Sequence, residues 1–395
     1  MPAPRIYTLL VATLALLTAA CSEDDTGPDG TLAEQLGMTI HLDTAEPVDI
    51  DRQDNVTTWT FDPEDGPMCL RGDPFRASIR ETGHDDLVIF LQGGGACWSA
   101  FCLAVTKAPA GVPRINLLNP RLDGNPFAEW NVLYLPYCDG SLFVGDIDHD
   151  DAGDGTPDRF HRGLHNLSAA LTHGARTLPE PRRILLAGSS AGGYGTLLAT
   201  LLVRHVWPNS QLFVMNDSGT GIALDGDPDF VGTLLDEFNA RRFVPDDCTG
   251  CLENGHITPL IGWILDRDAS LRFALFSSLH DSIITDVFLG EDPDTFAHAL
   301  LRETDAIRRD HPDRFARFLI EGRMHTTLLG DVSGIVGSDL TAVELPDGIL
   351  GSLASLEIGR MLRTEDHEGL PFIDWLRAMV DDSEGWNDRV PPAGL

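Results

Sequence analysis

The sequence has little positive charge and no glycine pattern for phosphate binding. Its 395 residues include 28 Lys and Arg against 61 Asp and Glu, a formal net charge of −33, and Lys107 is the single lysine. A nucleic acid needs a basic face, so this charge argues against a nucleic-acid partner. The patterns GxGxxG and GxxxxGK[ST] are missing, which argues against nucleotide binding of those kinds. The hydrophobic share of 43% is that of an ordinary globular protein.

The N-terminus carries an apolar run from Ile6 to Leu17, followed by small residues, which predicts an export signal over residues 1–20. The run is shorter than the roughly 20 apolar residues that a membrane span needs. Leu17-Thr-Ala-Ala-Cys21 resembles a bacterial lipobox, although Thr18 stands where that motif prefers Leu. We expect a lipidated Cys21, an acidic flexible tether over residues 21–50 and a cell-envelope lipoprotein that meets the membrane only through its anchor. Cleavage after Ala20 by an ordinary signal peptidase, giving a secreted protein, is the alternative.

The six remaining cysteines are an even number, which favours disulfides in an exported chain and allows 15 pairings. Short spacing favours Cys97 with Cys102 and Cys248 with Cys251, which leaves Cys69 with Cys138. A zinc site at Cys248-x-x-Cys251 is the rival interpretation. It lacks a second CxxC or a histidine pair, so no metal is expected there.

Short apolar segments alternate with helical patterns along most of the chain. This alternation predicts an α/β fold with a mostly parallel sheet covered by helices on both faces. Residues 51–390 are expected to form one catalytic domain, with residues 225–265 as an inserted segment. The predicted strands are Val56–Phe61, Pro74–Arg80, Leu87–Leu91, Val132–Leu135, Arg183–Ala187, Leu212–Met215, Arg272–Phe276 and Phe315–Ile320, and the predicted helices are Gly163–Leu178, Leu197–Val206 and Phe296–Arg309.

The clearest chemical signal is Gly188-Ser-Ser-Ala-Gly192, between a buried strand and a helix. A G-x-S-x-G motif in this context forms a tight turn that presents its central serine, here Ser190, as a nucleophile. Amides at the start of the following helix can then stabilise the oxyanion of an acyl-transfer reaction. A second signal, Gly93-Gly94-Gly95, follows another buried strand and resembles the glycine-rich oxyanion loops of esterases.

A serine hydrolase of this type needs an acid and a histidine later in the chain. Asp281, just beyond the strand Arg272–Phe276, is the preferred acid, and Asp217 is its competitor. His325, after the strand Phe315–Ile320, is the preferred base. The alternative bases are His280, His298, His311 and His367.

Four strings resemble the pectin acetylesterase family, which includes the Notum carboxylesterases. The resemblance runs from about Trp59 to about Thr327. The strings are Leu91-Gln-Gly-Gly-Gly-Ala-Cys97-Trp98, Leu135-Pro-Tyr-Cys138-Asp-Gly-Ser, Gly188-Ser-Ser-Ala-Gly-Gly193-Tyr-Gly195 and Asn216-Asp-Ser-Gly219. The resemblance implies an α/β-hydrolase fold and a catalytic triad of Ser190, Asp281 and His325. It also implies oxyanion donors at Gly94, Gly95 and Ala191, and a structural or pocket role for Asp217.

The same resemblance implies a serine esterase without a cofactor, acting on acetylated carbohydrate or small acetyl esters. The alternatives are a Notum-like carboxylesterase, lipase or thioesterase for longer acyl chains, and a catalytically silent lipoprotein that binds a glycan or acyl group. Two departures bear on the acyl pocket: Ala96 replaces a bulky aromatic residue, and the usual cysteine beside the histidine is absent. The net charge disfavours polyanionic pectin as the substrate.

One acidic stretch, from Asp146 to Asp158, has enough carboxylates for a calcium loop. It departs from the EF-hand pattern at the glycine and at the last acidic ligand. An ordinary solvated loop is therefore the expected structure.

Overall fold

The computed structural model describes residues 30–329, 342–346 and 360–392. The predicted export signal and Cys21 lie outside them. Within these residues the main sheet has nine strands, which are β1 Pro47–Gln53, β2 Val56–Phe61, β3 Arg76–Arg80, β4 Leu87–Leu91, β7 Asn131–Leu135, β10 Arg183–Ser189, β11 Gln211–Asp217, β12 Arg272–Ser278 and β13 Phe315–Ile320. They lie side by side in the order β1-β2-β3-β7-β4-β10-β11-β12-β13. Two smaller sheets contain the other described strands, which are β5 Gly95–Trp98, β6 Phe101–Val105, β8 Ile147–His149, β9 Arg159–His161 and β14 Val343–Glu344.

The strands β7, β4, β10, β11, β12 and β13 pair in parallel, and β1, β2 and β3 extend the sheet as antiparallel strands. Helices connect the parallel strands. They are α2 Gly163–Thr177, α3 Ala191–Val206, α4 Pro228–Glu237, α5 Pro259–Arg267 and α6 Pro293–Asp310, and α7 Phe372–Val380 follows later in the chain. The predicted α/β-hydrolase fold, with a mostly parallel sheet, is confirmed.

Alternate side chains of the central strands enter two separate cores. Along β4, Leu87, Ile89 and Leu91 join the core that contains α2 and α3, whereas Val88 and Phe90 join the core that contains α7. All five are fully buried. A strand covered on both faces has no need of polar residues, which is why it reads as a continuous apolar run.

Residues 30–50 differ from the predicted flexible tether. Thr31 caps the short helix α1 Leu32–Gln35, a 3₁₀ turn follows at Met38–His41, and β1 begins at Pro47. Ala33, Met38 and Ala45 are buried in the main core. The prediction was wrong for this segment because three buried apolar residues are enough to hold a largely polar stretch against the core.

In the described part of the chain, three disulfides join Cys69 to Cys138, Cys97 to Cys102 and Cys248 to Cys251. These are the pairs that the spacing favoured. The zinc interpretation of Cys248-x-x-Cys251 is wrong, because the sulfurs of Cys248 and Cys251 are bonded to each other. Disulfides persist in oxidising compartments, so they favour export. In the part of the chain that the structure describes, no helix has both the length and the apolar character of a membrane span.

Candidate active site

Ser190 lies at the turn between β10 and α3, at the carboxyl edge of the sheet. Its backbone has φ 55° and ψ −121°, a conformation that a residue with a side chain rarely adopts. The Ser190 N–H donates to the carbonyl of Asp217 at 2.8 Å, and the Ser190 carbonyl accepts from Tyr194 N at 3.0 Å. Strain of this kind persists only where the surrounding structure holds it, and it is typical of functional sites.

The two glycines of the G-x-S-x-G motif give this turn its room. A Cβ at Gly188 would lie 2.1 Å from the Gly192 carbonyl oxygen, and a Cβ at Gly192 would lie 2.0 Å from the Leu91 carbonyl oxygen. These are backbone atoms, which a side chain cannot push aside without moving the strand or the helix. The motif therefore reflects the close approach of α3 to β10 and β4.

His325 and Asp281 form a buried pair, the first 2% exposed and the second fully buried. His325 Nδ1 lies 2.8 Å from Oδ2 and 3.0 Å from Oδ1 of Asp281. The amides of Ile283 and Ile284 also donate to the Asp281 carboxylate. His325 Nε2 is buried and has no hydrogen-bond partner among the described residues. A carboxylate that accepts from Nδ1 fixes the ring so that the Nε2 lone pair can accept a proton.

Asp217, the competing acid, is also fully buried but has different partners. Its carboxylate accepts from Ser189 Oγ at 2.6 Å, from Thr327 N at 2.9 Å and from Leu328 N at 2.8 Å. Burial raises the pKa of Asp217 from 3.8 to about 6. The side chain joins the residue before Ser190 to the segment after His325, so it connects the two halves of the site through hydrogen bonds.

The alternative histidines lie in other surroundings. His280 pairs with Asp294 near the surface, and His311 faces Asp266 and Arg314. His298 and His367 are exposed. Of these five histidines, only His325 contacts one of the two candidate acids in the described structure.

The predicted oxyanion donors occupy two positions. Gly95 and Ala191 line the same cavity as Ser190, and Gly94 is not among the lining residues. A Cβ at Gly94 would lie 2.5 Å from Tyr137 Cδ1. In the hairpin of β5 Gly95–Trp98 and β6 Phe101–Val105, Val105 N donates to the Gly94 carbonyl, and Gly95 stands opposite Ala104. Bonded and non-bonded positions alternate in such a pair, so the Gly95 N–H points away from β6.

The cavity beside Ser190 has an almost wholly apolar lining. Among the described residues, no charged side chain lines it. Ala96, the residue that replaces a bulky aromatic, is part of its wall. The other apolar side chains are Trp98, Leu142, Val144, Leu197, Leu198, Ile222, Ala223, Phe230, Val231, Leu234, Leu235, Ile257, Leu260, Ile284, Phe288 and Leu289, together with the ring of Tyr194.

Sequence reasoning missed most of this wall. Phe230, Val231, Leu234 and Leu235 come from α4, inside the segment predicted as an insertion, and Phe288 comes from the π-helix Ile283–Leu289. The helical spacing of the apolar residues in α4 was a usable signal for an amphipathic helix. It could not have indicated that the apolar face turns toward Ser190.

The acidic stretch Asp146–Asp158 gives its carboxylates to protein partners. Asp150 accepts from the amides of Gly153, Asp154 and Gly155, and Asp158 accepts from the amides of Asp151 and Ala152. The carboxylates of Asp148 and Asp151 pair with arginines. Asp148, Asp150, Asp151 and Asp158 thus each have protein partners for their carboxylates.

Residues 55–229 match the family model of the pectinacetylesterases. Over this segment the chain is similar to the pectinacetylesterases. The resemblance to pectin acetylesterases and Notum that its motifs predicted is thereby confirmed. The matched segment contains Ser190 and the glycine loop, whereas Asp281 and His325 lie beyond it, so the assignment of these two residues rests on the geometry above.

Pectin acetylesterase 11 of Arabidopsis thaliana is 29% identical over 210 residues, which are 48% of this chain and 53% of that protein. Palmitoleoyl-protein carboxylesterase notum2 of Xenopus laevis is 29% identical over 170 residues, 38% of this chain and 34% of that protein. Pectin acetylesterase 4 of Arabidopsis thaliana is 30% identical over 172 residues, 40% of this chain and 41% of that protein. The matches span about half the length of these curated relatives, or less.

Proposed function

We propose that this relative of the pectinacetylesterases is a carboxylic ester hydrolase with Ser190 as its nucleophile. The observation that carries the proposal is the buried pair of His325 and Asp281, in which Nε2 of His325 has no partner among the described residues. The strained turn at Ser190 supports it. The names of the matched relatives, two pectin acetylesterases and a palmitoleoyl-protein carboxylesterase, support ester hydrolysis as the reaction class.

In this mechanism His325 Nε2 takes the Ser190 hydroxyl proton while Oγ attacks the ester carbonyl. Asp281 holds the imidazole in orientation and stabilises its positive charge. The amides of Gly95 and Ala191 donate to the oxyanion, with Gly94 as the further donor that the family resemblance suggests. The tetrahedral intermediate collapses, the alcohol leaves with the proton from His325, and water then releases the acid from Ser190.

The apolar cavity favours the alternative activity, which is hydrolysis of esters whose acyl chains are longer than acetyl. An acetyl group needs only one methyl pocket, whereas this wall contains apolar side chains from several helices and from the β5–β6 hairpin. Burial of each further methylene in such a cavity contributes about 0.8 kcal/mol. A neutral ester also suits the chain better than a polyanionic one, given the net charge of −33.

A panel of nitrophenyl esters from acetyl to palmitoyl tests both the reaction and the chain length. We expect hydrolysis by the wild type and a loss of at least about 10⁴-fold in Ser190→Ala. Ser189→Ala, which changes the neighbouring serine, is the matched control and should keep most of the activity. Full activity in a folded Ser190→Ala variant would refute the serine mechanism.

Ala96→Phe tests whether the cavity holds the acyl group. The larger side chain would project from the wall into the cavity and reduce the space for an acyl chain. The value of kcat/KM should therefore fall about ten-fold or more for long acyl esters and much less for the acetyl ester. Equal effects on both esters would place the acyl group elsewhere.

A separate comparison of acetyl xylan with acetylated pectin, at low and at high salt, tests the effect of the net charge on substrate choice. A preference for pectin at low ionic strength would contradict the charge argument.

We also propose that residues 1–20 direct export and that Cys21 carries a lipid anchor at the cell envelope. The lipobox-like string and the three disulfides support this localisation. Fractionation of cells that express the wild type or Cys21→Ser gives the test. The wild type should sediment with membranes and the variant should be soluble, and identical fractionation would indicate plain secretion.

A further inference from the structure

We propose that His41, Asp146 and His165 form a binding site for a divalent transition metal, with zinc as the expected ion. The three side chains offer their ligand atoms within 4.8 Å of one another. His41 Nε2 lies 2.9 Å and His165 Nε2 lies 2.8 Å from the same oxygen, Oδ1 of Asp146. Two imidazole nitrogens and one carboxylate oxygen therefore converge on one small volume.

The three residues come from separate parts of the fold. His41 ends the 3₁₀ turn of the N-terminal segment, His165 lies in the first turn of α2, and Asp146 follows the loop that carries Leu142 and Val144. His41 is 105 residues and His165 is 19 residues from Asp146 in the sequence, and both contact its carboxylate. A metal bound by all three side chains would therefore cross-link three segments of the fold, and its binding free energy would add to the stability of the folded state.

The donor set suits zinc better than calcium. Zinc in proteins takes histidine nitrogen and carboxylate oxygen in sites of four ligands, whereas calcium takes six to eight oxygens. The second oxygen of Asp146 accepts from Arg242, which leaves Oδ1 for the ion and fixes the carboxylate in a monodentate orientation. The guanidinium thus acts as an outer partner that orients the acidic ligand.

Close packing fixes the positions of the two imidazoles. The two rings stack with centroids 3.5 Å apart. Gly66, with φ 112°, lies beside His165, and a Cβ there would come within 2.7 Å of His165 Nδ1. The side chains of the three proposed ligands are between 12% and 19% exposed, which allows an ion to enter and a water molecule to serve as a further ligand.

An ion bound here would connect the N-terminal segment to the wall of the apolar cavity beside Ser190. Asp146 N donates to the Phe238 carbonyl, and the Asp146 carbonyl accepts from Asn239 Nδ2, just after α4. Val144, two residues before Asp146, lines the cavity. We therefore infer a structural metal, outside the catalytic triad, that stabilises the segments around the cavity.

Isothermal titration of zinc into the chelator-treated, tag-free full-length chain is the direct test. We expect one ion per chain, and binding at least about 100-fold weaker in His41→Ala and in His165→Ala. Asp146→Asn, which keeps a similar shape and one oxygen, should also weaken binding. The matched control is His205→Ala: His205 contacts Thr31 of the same N-terminal segment but lies outside the cluster, so its variant should bind zinc like the wild type.

Melting temperature gives a second readout, with circular dichroism to confirm that each variant folds. Zinc should raise Tm in the wild type and in His205→Ala, and should leave Tm unchanged in His41→Ala and His165→Ala. Zinc binding that is equal in the wild type and the cluster variants, or absent in the wild type, would overturn the proposal. The cluster would then be two histidines hydrogen-bonded to one aspartate.

Discussion

Asp217 and Asp281 are both fully buried and lie at or just beyond the ends of neighbouring parallel strands, β11 and β12. Asp281 contacts the imidazole of His325, whereas Asp217 accepts from one hydroxyl and two backbone amides. The same side chain in similar burial thus has two different tasks, because its partners differ. Asp281 can stabilise a charge that develops on histidine, and Asp217 holds two loops in register.

The largest expected difference between Asp281 and Asp217 is in the turnover number of their asparagine variants. Asp281→Asn should lower kcat by about 10⁴-fold, because an amide would favour the wrong tautomer of His325. The measurement is kcat on the best ester of the panel, with thermal unfolding as the control for folding. Retention of near-normal turnover would show that Asp281 is not the partner that His325 needs.

The second expected difference is in the pH dependence of stability. The pKa of Asp217 is raised to about 6 by burial, so the folded state holds this proton more tightly than the unfolded state does. The resulting contribution is complete below about pH 4 and is lost as the pH rises through about 6, by up to about 3 kcal/mol. The free energy of unfolding of the wild type minus that of Asp217→Asn should therefore fall between pH 4 and pH 6.5. A difference that stays constant over this range would contradict the raised pKa.

Asp217→Asn should have a smaller effect on catalysis than Asp281→Asn. The amide keeps one oxygen for the loop donors but places an NH₂ group toward at least one of them, which shifts the segment after His325 slightly. We expect a fall in kcat of about ten-fold, measured on the same ester. The reverse ranking of the two asparagine variants would assign the catalytic acid to Asp217.

Ser189→Ala should have the smallest effect. It removes the hydroxyl that donates to Asp217 at 2.6 Å and leaves Ser190 in place. The loss of this buried hydrogen bond should lower the free energy of unfolding by about 1 kcal/mol at pH 7. It should also raise the pKa of Asp217 further, since that hydrogen bond favours the charged carboxylate. Denaturant unfolding at several pH values measures both effects, and a stability equal to that of the wild type would mean that water replaces the hydroxyl.

Local chemistry in the sequence determined eight of the nine described strands of the main sheet, all but β1, together with the serine turn and the fold class. Leu87–Leu91 was predicted with the bounds that the structure has, because a strand buried on both faces must be apolar throughout. Phe315–Ile320 was also predicted with its observed bounds, although Arg317 interrupts its apolar run. The G-x-S-x-G string was informative for a similar reason, since its glycines meet backbone atoms that leave no space for a Cβ. The spacing of the cysteines likewise favoured the pairs that form.

Only the tertiary structure decided which distant residues meet. Spacing left Asp217 and Asp281 as rival acids, and the contact with His325 exists only after β12 and β13 pair. The apolar wall that α4 contributes, and the cluster of His41, Asp146 and His165, also left no pattern that the sequence could reveal. Secondary structure follows from neighbours along the chain, whereas a site assembled from separate segments depends on how those segments pack.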